Sequence, residues 1–360
     1  MAEARARVGF ATGYDPTLSV EEMAAWVARA EELGFEIGFF SETIELMRDS
    51  VTALSAMALR TRTITLGCTQ IVRLRTPLTM AQTLASLDEL SGGRMIFSPG
   101  ACTDTHAKRY GLPALSPPTS LKEWVEIMRR LIAGERFDFA GESVSFADAE
   151  MGWKPRRDRI PMWIPATSAT GLRLAGAIGD GVLLNAVCSP EYTVNALKIV
   201  RESAEANGRD WGNFEVAQLI NCSIEDDRQS AIEAIRWEVA SKFDPIQLPF
   251  IAGPKMRVGE PYIRPEHIPT FKEAYRRGGK EGLIRAVPDE YVLGMTATGT
   301  PDDVLRRVED FRAAGVSLPI LRPAAEHQTA RLLQLFSPYQ SSTKSKPKPE
   351  RHSAPVSPTM

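Results

Sequence analysis

The chain has 360 residues, of which 43% are hydrophobic and 24% charged, with a formal net charge of −2 and an isoelectric point near 6.2. That mix suits one large globular domain or two ordinary ones, and the balanced charge offers no basic surface for nucleic acid as a partner. No apolar run reaches the roughly 18 residues of a membrane helix, and Met1 to Arg7 lacks the apolar stretch of a signal peptide, so a cytoplasmic protein is expected.

Strand and helix alternate from the start. Val8 to Gly13 reads as strand one; Ser19 and Glu22 make a capping box for a helix whose apolar face is Val20, Met23, Val27 and Ala30. Phe35 to Phe40 is strand two, Ser50 to Leu59 its helix, and Thr63 to Val72 strand three. Pro77 to Leu90 is helical, and Ser91-Gly92-Gly93 turns into strand four at Arg94 to Ser98. Leu121 to Ile132 has helical spacing, whereas Phe137 to Phe146 alternates around Gly141 like a hairpin. Strands five, six and seven follow at Pro161 to Ala166, Gly181 to Asn185 and Phe214 to Cys222. The pattern breaks after about Arg228; Pro245 to Val287 has no clear period and reads as loops and short helices. Thr300-Pro301-Asp302-Asp303 starts the next helix, and Leu318 to Leu321 is strand eight.

Eight strands each followed by a helix can close as a barrel or spread as a doubly wound sheet. The open sheet predicts G-x-G-x-x-G after strand one, where the chain reads Gly13-Tyr14-Asp15-Pro16; Gly279-Lys280 likewise lacks the upstream glycine of a Walker A loop. The expected fold is therefore an α/β (β/α)₈ TIM barrel over residues 1–336, with an insertion at about 245–290. Residues 337–360, rich in Ser, Pro and Lys, are expected to be a disordered tail.

Reactive groups of such barrels lie at the carboxyl ends of the strands. Here those ends offer Glu42 and Thr43, the stretch Cys68 to Arg75, Gly100 to His106, Ala166 to Thr170, and Asn185. The four cysteines contain no CxxC pair, and neither a metal cluster nor a nucleophile–base pair is present in this set. A site so poor in catalytic side chains leaves the hard chemistry to a cofactor. Thr167-Ser168-Ala169-Thr170-Gly171 places small, hydroxylated residues at a helix start, where free N–H groups favour a phosphate; simple N-capping is the other reading.

The sequence resembles the bacterial luciferase-like family of flavin- and deazaflavin-dependent oxidoreductases over roughly Val8 to Pro323. The resemblance rests on Ala30-Glu31-Glu32-Leu33-Gly34-Phe35, Leu90-Ser91-Gly92-Gly93-Arg94, Leu174-Ala175-Gly176 with Asp180-Gly181, and Gly299-Thr300-Pro301-Asp302-Asp303-Val304. It implies a luciferase-like barrel with insertions, a cofactor ring across the strand ends, and a cofactor phosphate at Thr167 to Thr170. Within the family the chain is most similar to the coenzyme F420 branch of the methylenetetrahydromethanopterin reductase type. The turn Thr167-Ser168-Ala169-Thr170 departs from that branch's Gly-Pro-Lys and leans toward FMN-binding monooxygenases.

The cofactor-binding set implied by the resemblance is Cys68, Thr69, Gln70, Gly100, Ala101, Ala166, Thr167, Ser168, Ala169, Thr170 and Asn185, with a non-proline cis peptide within Gly67 to Gln70. The catalytic candidates are Glu42, Thr43 and His106. Family members often carry an acid–His pair at the end of strand two; here Thr43 stands at the His position. Glu42 reads either as an acid that exchanges a proton or as a structural ion-pair partner; His106 reads as a replacement proton carrier or a surface histidine. Arg73 and Arg75 read either as contacts to an anionic cofactor tail or as solvent-facing. The expected activity is hydride transfer between F420 and a small organic substrate, the alternatives being an FMN-dependent two-component monooxygenase and a non-catalytic flavin-binding barrel. A homodimer and a separate flavin or F420 reductase are the expected partners.

Overall fold

A computed structural model describes residues 7–337 apart from 14, 45, 102–103 and 249–258, together with the backbone but not the side chains of 104–106. In chain order the first half contains β1 (Gly9–Ala11), α1 (Val20–Glu32), β2 (Ile37–Ser41), α2 (Ser50–Arg60), β3 (Thr65–Ile71), α3 (Pro77–Leu90), β4 (Met95–Gly100), α4 (Asp104–Arg109) and α5 (Pro117–Ile132). The hairpin β5 (Phe137–Ala140) and β6 (Ser145–Ala149) comes next, then β7 (Trp163–Pro165), α6 (Ala169–Ile178), β8 (Gly181–Leu184), α7 (Pro190–Ala206) and β9 (Glu215–Ile224). The last part holds α8 (Arg228–Ala240), α9 (Ile268–Ala286), α10 (Asp289–Met295), β10 (Ala297–Gly299), α11 (Pro301–Ala313), β11 (Leu318–Pro323) and α12 (Thr329–Leu335).

Eight parallel strands pair in the order β4-β3-β2-β1-β11-β9-β8-β7. The ring closes through a parallel bridge between Phe97 and Met162, beside which Ser98 Oγ donates to the Trp163 carbonyl at 2.8 Å. The hairpin β5–β6 forms its own antiparallel sheet outside the barrel, as its alternation predicts.

The alternation of each strand sorts its side chains into two layers. Ala11, Ile37, Phe39, Ile96, Trp163, Leu183, Ala217, Leu219, Leu318 and Ile320 form one buried cluster, the lumen of the barrel. Phe10, Phe40, Leu66, Cys68, Phe97, Ile164, Val182, Ile220 and Leu321 belong to the larger core shared with the helices. Close packing of the lumen explains Gly67: a Cβ there would lie 2.5 Å from the ring of Phe39, too close for any other residue.

Helix starts follow the sequence closely. Ser19 with Glu22, and Thr300 with Asp303, make complete capping boxes. Three features differ from the expectation. The aperiodic stretch contains α9, a 19-residue helix broken only at Gly279, where φ is 55°; only Phe271 and Leu283 of it are buried, too few to leave a readable period. A short strand, β10, pairs with the end of β9 at Cys222 to Ile224, lengthening the sheet on that side. All peptide bonds of the described residues are trans, including those from Gly67 to Gln70, so the cis bond is absent; β3 instead runs in unbroken register with β4 from Leu66 to Ile71.

A third cluster joins α8, α9 and α10 through Ile232, Ile235, Val239, Phe243, Phe271, Leu283, Tyr291 and Val292. By contrast, α11 buries Val304, Val308 and Phe311 in the main core. So α11 completes the seventh strand–helix unit, and α8 to α10 form an excursion with a small core of its own. The excursion docks above β8 through Glu260, buried at 7% exposure, whose Oε2 accepts the Ser189 N–H at 2.9 Å where α7 begins. The proposed tail lies, apart from Ser337, outside the described residues.

Candidate active site

The upper end of the lumen is where a ligand can reach the strands, and its lining follows from alternation. Continuing the inward register of β2, β3, β4 and β8 upward gives Ser41, Thr69, Gly100 and Asn185. On β9, Ala217 and Leu219 lie in the lumen cluster while Val216, Ile220 and Cys222 lie in the outer core, so Asn221 faces inward. Arg322, opposite Asn221 in the register of β11 with β9, does the same. The floor is apolar and this upper layer is polar. None of these positions is an acid, a histidine or a cysteine.

The two halves of the mouth differ in access. Thr69, Gly100, Pro165 and Thr167 are half-buried and Asn185 is exposed, giving an open wall across β3, β4, β7 and β8. Ser41, Asn221 and Arg322 are buried at 8%, 1% and 6% exposure. Arg322 pairs there with Glu238 of α8, so the excursion covers that side.

The expected residues divide accordingly. Thr69, Gly100 and Asn185 line the lumen. Cys68, Ala101 and Ala166 pack outward, against the helix layer. Gln70 is also turned out, its Nε2 donating to Ser50 Oγ at 2.8 Å. The side chains of His106 and its neighbours Asp104 and Thr105 lie outside the described residues, so His106 is placed only by its backbone in α4.

Glu42 follows Phe40 in facing away from the lumen, and its carboxylate is fully engaged. Oε1 accepts from Ser50 Oγ at 2.8 Å and Arg75 Nη2 at 2.9 Å. Oε2 accepts from Arg75 Nη1 and from the Ile71 N–H, both at 3.1 Å. The Arg75 carbonyl in turn accepts from Trp124 Nε1 at 3.0 Å, and the Glu42 N–H donates to the Thr69 carbonyl at 2.8 Å. The side chain is only 9% exposed. This geometry supports the ion-pair reading: Glu42 and Arg75 pin the exits of β2 and β3 together. Arg73, 6% exposed, donates to the Pro113 and Leu115 carbonyls and so holds the loop before α5; neither arginine faces solvent. Glu42→Gln should cost about 2 kcal/mol of stability by half-breaking a largely buried pair, read as a lower urea midpoint, with activity per folded molecule within about threefold. A stable variant whose turnover falls ~10²-fold would restore the proton-exchange role.

The phosphate candidate is built on α6, whose N-cap Ser168 accepts the Gly171 N–H on Oγ at 3.2 Å. The N–H groups of Ala169 and Thr170 stand in the first turn, where no intrahelical carbonyl reaches them. Tyr192 OH donates to the Thr167 carbonyl at 2.9 Å, fixing the turn from α7. The turn borders the open wall at Pro165 and Thr167, so an anion held there would tether a group lying over Thr69 and Gly100.

Other chemistries find little support among the described residues. No group of three or more His, Cys, Asp or Glu side chains could hold a metal. Burial pushes the Cys222 thiol up to about 12, and burial together with the Glu42 charge raises that of Cys68 well above its usual value, so neither is a thiolate near neutral pH. Among the described residues, no helix is long and apolar enough to cross a membrane. The lumen-facing Ser41, Asn221 and Arg322 stand at or beside the expected ends of strands two, seven and eight but are missing from the expected set; the signal for them is the alternation along β2, β9 and β11, once the lumen side of each strand is known.

The model of the luciferase-like monooxygenase family matches residues 5–318. The chain is 30% identical over 315 residues to a 5,10-methylenetetrahydromethanopterin reductase of Archaeoglobus fulgidus, covering 86% of this chain and 91% of that one. It is 28% identical over 247 residues to an F420-dependent glucose-6-phosphate dehydrogenase of Nakamurella multipartita, covering 65% and 72%. Among solved structures, the coenzyme F420-dependent tetrahydromethanopterin reductase of Methanopyrus kandleri superposes with a TM-score of 0.78 at 25% identity, covering 92% of this chain and 98% of that one.

Proposed function

The chain belongs to the luciferase-like monooxygenase family, and from that premise we propose that it is a coenzyme F420-dependent oxidoreductase acting on a small organic substrate at the barrel mouth. The observation that carries this reading is the upper lumen layer: Ser41, Thr69, Asn185, Asn221 and Arg322 can bind and orient a polar heterocycle, yet the layer holds no histidine, acid or cysteine to activate a nucleophile, and no His/Cys/Asp/Glu cluster for a metal stands among the described residues. The likeness to F420-dependent reductases and dehydrogenases selects the cofactor.

The residues present fit a deazaflavin. Asn221 keeps a buried amide without a protein partner among the described residues, and the α6 start offers N–H groups to a phosphate. When bound, the deazaflavin supplies the carbon that accepts or donates the hydride. The chain does the rest. Ala169 and Thr170 N–H groups hold the phosphate, with Ser168 keeping the turn in shape. Thr69 and Gly100 present a wall on which a planar ring can lie; a Cβ on Gly100 would meet Thr69 Cγ2 at 3.2 Å and crowd that wall. Glu42 and Arg75 act as positioning residues by fixing the β3 exit from behind. The excursion of α8 to α10 keeps water from the β9–β11 side.

Leu46, Leu59 and Leu90, at 69%, 62% and 44% exposure on the α2–α3 side, support a homodimer. The FMN reading draws on the hydroxyl-rich turn Thr167-Ser168-Ala169-Thr170, and it would bring in a separate reductase. Purification from a host that makes both cofactors separates the two: the retained chromophore should have the F420 spectrum, and a bound FMN spectrum would transfer the site to monooxygenase chemistry.

A further inference from the structure

Asn221 has no structural task in the fold. It is 1% exposed, and neither its Nδ2 nor its Oδ1 has a hydrogen-bond partner among the described residues. A buried amide left in that state costs stability, and such groups in a native barrel call for an explanation. Neighbouring polar side chains on the same strand are at least partly satisfied: Gln218 Oε1 accepts from Thr193 Oγ1 at 2.8 Å, although its Nε2 has no partner among the described residues, and Ser223 Oγ accepts from Gln328 Nε2 at 3.2 Å. Both bonds are made to helical elements packed around the barrel. Asn221 alone of these stands on the lumen register with Ala217 and Leu219, one step above the apolar floor and beside Arg322. Leucine has the same number of side-chain heavy atoms and would avoid the desolvated amide.

We infer that Asn221 is a ligand-reading residue: its side-chain amide pairs with the cyclic-amide edge of a ring bound in the mouth. A primary amide presents one donor and one acceptor side by side. The group that satisfies both at once is a ring carbonyl adjacent to a ring N–H, the edge that flavins and deazaflavins carry. Arg322 cannot substitute, because a guanidinium only donates, and its charge is balanced by Glu238. The pairing adds a specificity contact to the phosphate site at α6, from β9, two strands along the ring from the β7 end where α6 begins. This inference rests on the cofactor reading above.

The test uses the full chain with F420 as the probe, following quenching of its fluorescence, and thermal unfolding on the same samples. Asn221→Leu should melt no lower than the parent protein, since it removes a desolvated amide, yet bind F420 at least about tenfold more weakly. Asn221→Asp should also bind poorly, because it loses the donor. If leucine is rejected by the packing, Asn221→Ser provides a smaller variant with a single hydroxyl, and the same loss of affinity is expected. Unchanged F420 affinity in a folded Asn221→Leu or Asn221→Ser protein overturns the inference and leaves the cofactor reading intact. Intact F420 affinity with a raised KM for the organic substrate assigns the amide to a substrate carrying that edge, and overturns the cofactor pairing. A flat titration of the parent protein removes the cofactor reading itself, and this pairing with it.

Discussion

Arg94→Met is expected to destabilise the protein by about 3 kcal/mol or more, while leaving the activity of the folded fraction unchanged. The guanidinium uses all its nitrogens: Nε donates to the Ser91 carbonyl at 2.6 Å, Nη1 to Thr61 Oγ1 at 2.9 Å and the Ile64 carbonyl at 2.6 Å, and Nη2 to the carbonyls of Ala58 at 3.2 Å and Thr61 at 3.1 Å. Two of those carbonyls end α2, so Arg94 both caps that helix and ties it to the turn ahead of β4. Methionine keeps most of the stem and removes every donor, and hydrogen bonds from a charged donor contribute roughly 1.5 to 3 kcal/mol each before losses overlap. Arg94→Lys should recover little, because a single ammonium cannot span acceptors arranged for a planar fork. Urea unfolding monitored by tryptophan fluorescence gives the change directly. A loss below about 1 kcal/mol would show that these bonds are individually dispensable.

Ser168→Asp should weaken F420 binding by about a hundredfold or more with little effect on folding. Aspartate is as good an N-cap as serine, so α6 keeps its start and the Gly171 N–H keeps an acceptor. What changes is the charge, placed against the N–H groups of Ala169 and Thr170 where the phosphate is proposed to sit. Two unit charges about 4 Å apart repel by roughly 4 kcal/mol at an effective dielectric near 20, which even after solvent screening exceeds the 2.8 kcal/mol or so of a hundredfold change. The loss should shrink as salt rises. Ser168→Ala is the control: it removes the cap at a cost of about 1 kcal/mol in stability without adding charge. An aspartate variant with parental affinity at low salt would move the phosphate away from α6.

These two sites also show why the fold was readable in the sequence and the active site only partly so. The motifs that carry the family likeness, except Gly299 to Val304 at the carboxyl end of β10, sit at the amino ends of the strands, far from the mouth. Gly92 and Gly93 adopt φ of 76° and 88°, Ser91 Oγ accepts the Arg94 N–H at 3.2 Å, and Asp88, 1% exposed, is clamped by Arg157. Asp180 is held in the same way by Arg129, Arg159 and Arg209; burial would raise its carboxyl, but Arg129, the Met162 N–H and Arg159 together keep it below its usual range. Such residues specify the barrel, whose amino end governs stability while its carboxyl end governs chemistry.

At the chemical end, the sequence locates strand exits without telling which side of a strand faces the lumen. A shift of one residue exchanges the two sides. Glu42 therefore stood out as a polar residue after an apolar strand, although Phe40 and Glu42 share the outward register and Ser41 takes the inward one. Cys68, Gln70 and Ala166 fall on the same outward side. Asn221 escaped notice for the opposite reason: it lies inside a strand whose other lumen residues are apolar, and only long-range pairing shows that β9 contributes its upper end to the mouth. The α6 turn was legible because a helix start needs only local sequence.

A barrel that binds a deazaflavin at a mouth with no acid, histidine or thiolate in its upper lumen layer should discriminate F420 from FMN by the ring and the phosphate contacts alone. Equilibrium titration of the cofactor-free protein with F420 and, in parallel, with FMN tests it most directly. Saturable F420 binding at least tenfold tighter than that of FMN is expected, weakened by Ser168→Asp and unaffected by Arg94→Met in the folded fraction. Tighter binding of FMN, or F420 binding indifferent to Ser168→Asp, would contradict it.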